Sequence, residues 1–133
     1  MDKKDLILVV DDNADYRELL VWTLECHGFQ TIAANCGREA LELAIERQPD
    51  LVLMDLNMPG MNGYEATRAI HAHPRGRRIP VVAVSADCTD DEFTLWAFKR
   101  DFLAFLAKPW EQDRLLEIVM KVLARGVRNI RAA

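Results

Sequence analysis

Five polar residues stand where long apolar runs end. Asp11 and Asp12 close LILVV, Asp55 closes LVLM, Ser85 closes VVAV and Lys108 closes LAFLA. Their types define a chemistry. Three carboxylates brought together repel, and holding them needs a cation, a shared proton or a lysine. An oxygen-rich site with few protein ligands and room for water suits Mg²⁺. A lysine is a mobile point charge able to pair with a carboxylate or a phosphoryl oxygen. Together the five make a site for a phosphoryl group. Mg²⁺ and Lys108 would neutralise its oxygens, Ser85 would donate a hydrogen bond, and Asp55 would attack phosphorus.

Whether the five meet depends on the elements that carry them. Leu6–Val10 is a continuous apolar run and reads as a strand buried on both faces. From Asn13, a good N-cap, the period becomes helical, with Tyr16, Leu19, Leu20, Thr23 and Leu24 on one face and Gly28 closing the helix. Residues 29–34 (FQTIAA) form a weaker second strand. Gly37–Arg47 is a second helix, Leu51–Met54 a third strand and Tyr64–His71 a third helix. Pro80–Val84 is a fourth strand and Asp90–Lys99 a fourth helix. Phe102–Leu106 is a fifth strand and Glu111–Leu123 a fifth helix.

Strands alternating with helices imply a parallel sheet covered on both faces. Right-handed crossovers leave few topologies. The natural choice is a doubly wound α/β fold of flavodoxin type, five strands in order 2-1-3-4-5 with five helices. In that order the first and third strands are neighbours at the switch point, so Asp11, Asp12 and Asp55 share one pocket at the carboxyl edge. Ser85 and Lys108 flank it. The turn NMPGMNG exposes backbone carbonyls that can complete a metal shell.

The chain has 133 residues, half of them apolar, and a net charge of −4, which fits one domain with a real core. That charge gives no hint of a polyanion-binding protein. No apolar run is long enough to span a membrane, and Asp11 and Asp12 end the first run too early for a signal peptide. Cys26, Cys36 and Cys88 are odd in number and widely spaced, and read as reduced thiols of a cytoplasmic protein. The basic loop Arg75–Arg78 reads as solvated. His27, His71 and His73 are scattered and take no role, and Trp110 reads as packing. Phe93 with Trp96, and Leu95 with Phe98, give the fourth helix two apolar sides. Core packing accounts for most of them, and the second stripe is a candidate docking or dimer face.

At this point the sequence resembles the receiver domain of two-component response regulators. The matching segments are VVDDN at 9–13, LMDLNMPGMNG at 53–63, VSA at 84–86 and KPW at 108–110, and the likeness runs from about Leu6 to Leu123. It implies that Asp55 is the phosphoacceptor, taking the group from a phosphohistidine on a sensor histidine kinase or a histidine phosphotransfer protein. It implies that Asp12 is a direct Mg²⁺ ligand, that Asp11 acts largely through water and that Asn57 supplies a backbone carbonyl. Ser85 becomes the switch hydroxyl, Phe105 the switch aromatic, and Lys108 the lysine contacting the phosphoryl group, before a proline bond that is usually cis. Asn57 and Asp87 would tune dephosphorylation. An output protein would read the face of helix four, strand five and helix five.

Two departures stand out. Asp101 occupies the position, seven before Lys108, where the family commonly has a glycine. The stretch from Ser85 to Lys108 is slightly longer than usual. Residues 1–124 are expected to form the receiver and 125–133 a short basic tail or linker start. The start MDKKDLILVVDD favours a stand-alone or N-terminal receiver, monomeric or weakly dimeric. A module from a hybrid kinase and a non-phosphorylated pseudo-receiver are the alternatives. A phosphatase using an aspartyl-phosphate fits less well, because Asn57 stands where its general acid belongs.

Overall fold

The computed structural model describes residues 4–86 and 101–132, with the backbone alone beyond 124. Its five strands are β1 (Leu6–Val10), β2 (Gln30–Ala34), β3 (Leu51–Asp55), β4 (Val81–Ser85) and β5 (Ala104–Ala107). They form one parallel sheet in the order β2-β1-β3-β4-β5. Four helices lie among the described residues: α1 (Ala14–Cys26), α2 (Gly37–Arg47), α3 (Gly63–Ala72) and a C-terminal helix (Gln112–Ala132). The expected fourth helix, with Phe93, Leu95, Trp96 and Phe98, lies outside the described residues, as do Asp87 and Cys88.

Burial follows strand position. Every residue of β3 and β4 is buried, and β1 is buried but for Leu6 at its edge, whereas β2 and β5 are partly open. Central strands of a doubly covered sheet need apolar residues on both faces, which is why the first, third and fourth runs do not alternate. One face carries Leu8, Val10, Val52 and Met54 against Ala40 and Ala44 of α2 and Ala66 and Ile70 of α3. The other carries Ile7, Val9, Leu51 and Leu53 against Leu20 and Leu24 of α1 and Leu115 and Val119 of the C-terminal helix. Leu19, grouped with the inward residues by spacing, is 48% exposed.

Several boundaries differ from the sequence reading. β3 and β4 run one residue further, so Asp55 and Ser85 are themselves strand residues, paired with Val84 and Ala107. β5 begins at Ala104 rather than Phe102. Phe102 instead lies buried below the ladder, its ring edge-on to Tyr64 at 5.7 Å, while the Leu103 N–H donates to the Val81 carbonyl at 3.0 Å. Apolar content alone does not show where ladder pairing starts. The C-terminal helix continues from Leu123 to Ala132. The segment RGVRNIRAA lacks an apolar stripe, yet a helix already nucleated propagates cheaply, and without proline only Gly126 opposes it.

Candidate phosphoryl-acceptor site

β1 and β3 deliver Asp11 and Asp55 to the same edge of the sheet. Asp11 follows β1, where its N–H donates to the Ala34 carbonyl of β2 at 3.2 Å. Its chain then turns into α1 under the Asn13 cap, whose side chain accepts from the Tyr16 N–H at 3.1 Å. Capping therefore belongs to Asn13, and both aspartates are released from it. Asp11 is 1% exposed, Asp55 4%, and Asp12 lies open to solvent. One carboxylate oxygen from each of the three falls within 4.8 Å of the others.

The lysine comes from the far side. The Lys108 N–H donates to the Ser85 carbonyl at 2.9 Å, extending the β4–β5 ladder one step. The Lys108–Pro109 bond is cis, as the resemblance implies. Nζ donates to Asp11 Oδ2 at 2.7 Å and stands 3.6 Å from Asp55 Oδ2. Asp11 Oδ1 accepts from the Asn13 N–H at 2.9 Å. Both Asp11 oxygens are thus engaged by protein, and its carbonyl also accepts from Arg17 at 2.8 Å.

Asp55 Oδ1 accepts from the Asn57 N–H at 3.1 Å, and the Asn57 side-chain amide donates to Ser85 Oγ at 3.1 Å. Burial pushes the Asp55 carboxyl up to about 6. The Asn57 N–H pulls it down, the Asp11 carboxylate adds to the rise, and Lys108 partly offsets it. Asp55 is therefore a group whose charge is costly until a cation arrives.

Gly63 fixes the turn after the nucleophile. A Cβ there would lie 2.2 Å from the Asp55 carbonyl oxygen, so only glycine lets α3 start against the end of β3. Asn62 and Glu65 close a capping box on that start, which frees Asp55 from capping α3.

The result is an open cleft of about 180 Å³ lined by Asp11, Asp12, Asn13, Tyr16, Asp55, Asn57, Ala86 and Lys108. Ser85 sits behind Asn57, buried. Phe105 does not line the cleft; it is half-buried against the core on the α2–α3 face. Asp87 lies outside the described residues. Sequence reasoning missed Tyr16 as a wall of the cleft and counted it only as a core-facing position of α1. The available signal was its place in the first turn of α1, four residues past Asp12. Asp101, the departure from the family's glycine, sits with Oδ1 3.5 Å from His71 Nδ1, while His71 Nε2 meets the Ile79 carbonyl at 2.9 Å.

The acidic trio suits a hard cation: oxygen donors only, one exposed carboxylate and an open mouth with room for water. Comparison with known proteins points the same way. The family model described as response regulator receiver domain matches residues 7–120. Protein PilH of Pseudomonas aeruginosa is 38% identical over 120 residues, which are 89% of this chain and 97% of PilH. Regulatory protein AtoC of Escherichia coli is 36% identical over 117 residues, 88% of this chain but only 25% of AtoC. Among solved structures, the receiver domain of sensor histidine kinase PA1611 from Pseudomonas aeruginosa PAO1 superposes with a TM-score of 0.83 at 29% identity. The match covers 92% of this chain and 99% of that one, and that structure has a magnesium ion coordinated in its active site cleft.

Proposed function

The chain belongs to the response regulator receiver family, and from that membership we propose a phosphorylation-activated signalling switch that takes a phosphoryl group onto Asp55. The observation that carries the proposal is a buried carboxylate at the end of a central strand, flanked by two further carboxylates and a lysine.

Asp12, Asp55 and the Asn57 backbone carbonyl would hold Mg²⁺, with Asp11 acting mainly through water because Lys108 and Asn13 already occupy its oxygens. The ion would neutralise charge on the phosphoryl oxygens. The donor is a phosphohistidine on a sensor histidine kinase or histidine phosphotransfer protein. An Asp55 oxygen attacks phosphorus, the phosphorus–nitrogen bond breaks, and an acyl phosphate forms. Lys108 neutralises one phosphoryl oxygen, and the Ser85 hydroxyl donates to another. Phe105 then turns inward with Ser85, and the face around β5 changes its affinity for an output protein. Asn57 and Asp87 set how fast water removes the group. The protein is a phosphoacceptor rather than a turnover enzyme, works in the cytoplasm, and exists as a monomer or weak dimer without direct contact to nucleic acid.

PilH, matched over nearly its whole length, supports a single-domain regulator, in which 125–133 would be a basic extension carried on the end of the last helix. AtoC, matched over a quarter, supports the same module within a larger protein. The deciding experiment is incubation with acetyl phosphate, with and without Mg²⁺, followed by intact mass. A Mg²⁺-dependent, hydroxylamine-labile adduct absent from Asp55→Ala is the expected result. A wild type that binds Mg²⁺ but gains no adduct would make this a pseudo-receiver.

A further inference from the structure

Lys108 has three N–H donors and only two of them face carboxylates. The third side of the ammonium is covered by an aromatic ring: Nζ lies 4.4 Å from the centroid of Tyr16. The lysine side chain is 9% exposed, so this contact replaces water rather than adding to it. An ammonium over a ring face is attracted by the ring's quadrupole, most strongly where water is excluded. The Tyr16 ring itself packs against a second aromatic. Trp110, two residues past Lys108, packs against it at 5.4 Å between centroids with a 50° tilt. Tyr16 thus contacts two side chains of the β5-to-helix loop, tying α1 to the lysine that the phosphoryl group needs.

We propose that Tyr16 is the positioning residue for Lys108, and that it acts through its ring face and not its hydroxyl. The inference rests on the phosphoryl-acceptor reading of Asp55. At rest Nζ is held 2.7 Å from Asp11 and 3.6 Å from Asp55. To meet a phosphoryl oxygen on Asp55 it must leave Asp11 and travel a short distance. A hydrogen-bonding neighbour would fix it at one point. A ring face has no directional lone pair, so it lets the ammonium slide while denying it to water. Without the ring, the lysine gains solvent and its other rotamers, and part of the approach must then be made again for every transfer.

Two variants separate ring from hydroxyl. Tyr16→Phe keeps the face, and Tyr16→Leu keeps apolar bulk alone. With acetyl phosphate and saturating Mg²⁺, Tyr16→Leu should form the Asp55 adduct about fivefold more slowly, the scale of one lost cation–π contact. Tyr16→Phe should match wild type. Mg²⁺ affinity, read by Trp110 fluorescence or calorimetry, should stay within about twofold in both, since neither substitution touches a carboxylate. A second readout does not depend on phosphorylation: the Lys108 ε-methylene protons should show an upfield ring-current shift in wild type and Tyr16→Phe that disappears in Tyr16→Leu. An unchanged adduct rate in Tyr16→Leu, or an equal loss in Tyr16→Phe, overturns the proposal. So does a wild type lacking the ring-current shift. Absence of any wild-type adduct with the shift present would instead defeat the acceptor reading and leave the lysine–ring contact standing.

Discussion

β1 and β3 lie side by side, and each has an aspartate near both ends. At the lower end Asp5 precedes β1 and Asp50 precedes β3. At the upper end Asp11 follows β1 and Asp55 ends β3. At the lower end Asp50 is tied to the backbone. Asp50 Oδ2 accepts from the Leu6 N–H at 2.8 Å, the Asp50 N–H donates to the Leu6 carbonyl at 2.8 Å, and Asp50 is exposed. The Asp5 carboxyl is raised, first by partial burial and then by Asp50, and nothing cationic has been brought to it among the described residues. The upper pair is buried, joined by Asp12 and bridged by the lysine that follows β5. The same residue type on the same two strands closes a sheet at one end and holds surplus charge at the other. Surplus buried charge is costly to keep, which supports the proposal that the upper end is the functional one.

The largest expected difference between the ends is chemical. Asp55→Asn should abolish the phosphoryl adduct, whereas Asp50→Ala should leave it intact. Stability should move the opposite way. Asp50→Ala strips the Leu6 N–H of its acceptor at a cost of about 1 kcal/mol, softened by water. Asp55→Asn removes a carboxylate the fold prefers neutral, so its urea midpoint at pH 8 without Mg²⁺ should equal or exceed wild type. A lower midpoint for Asp55→Asn than for Asp50→Ala would show that the upper end is held for stability.

Glycines test whether the strain is local. A Cβ at Gly63 would meet the Asp55 carbonyl at 2.2 Å, and one at Gly76 would meet the Ile70 carbonyl at 2.2 Å, near the lower end. Both Gly→Ala variants should lose roughly 2–3 kcal/mol, the upper range for forcing an atom into packed backbone. Only Gly63→Ala should also weaken Mg²⁺ binding per folded molecule, because the displaced backbone carries Asp55. Equal Mg²⁺ affinities in the two variants would break the distinction.

Titration separates the ends by a smaller margin. Asp55 holds its proton to about 6 in the folded protein against an ordinary value of 3.8. Between those values the native state binds more protons than the unfolded chain, so Mg²⁺-free stability should fall as pH rises from about 4 to about 6. Mg²⁺ binds the ionised form, so its affinity should rise through the same window. Asp55→Asn should remove most of the stability slope. Chemical denaturation across pH 4–7 reads both trends, and a stability that climbs with pH in this range would contradict the raised Asp55.

These contrasts explain what was legible beforehand. The strand order and the convergence of Asp11, Asp55, Ser85 and Lys108 follow from runs too apolar to alternate, each ending in a polar residue. Those are local facts. The start of β5 was misplaced because Phe102 and Leu103 are as apolar as a strand, and their exclusion from the ladder is set by Tyr64 and Val81, distant in sequence. The C-terminal helix was cut short because its last two turns lack the stripe that periodicity detects. Tyr16 was read as core because helical spacing reports a face, and the first turn of α1 faces the cleft and the sheet together. Its partners, Lys108 and Trp110, lie 92 and 94 positions further along the chain, beyond any local pattern.

The smallest expected effect lies wholly at the lower end. Asp5→Asn relieves its repulsion with Asp50 without removing the Leu6 bond, because only Asp50 makes that bond. Asp5 is only partly buried, so solvent screens most of the interaction. Stability at pH 7 should rise by no more than about 0.5 kcal/mol, the usual range for a surface change. The gain should shrink as pH falls, because the raised Asp5 carboxyl takes up its proton earlier in the folded state than in the unfolded chain. Mg²⁺ affinity and adduct formation should not move. The matching change at the upper end, Asp11→Asn, takes a charge from the same strand but also unhooks Lys108. It should weaken Mg²⁺ binding and slow the adduct at any pH where Asp55 is ionised. If Asp5→Asn altered Mg²⁺ binding as much as Asp11→Asn, charge would be acting through the sheet as a whole and not through the residues gathered at its carboxyl edge.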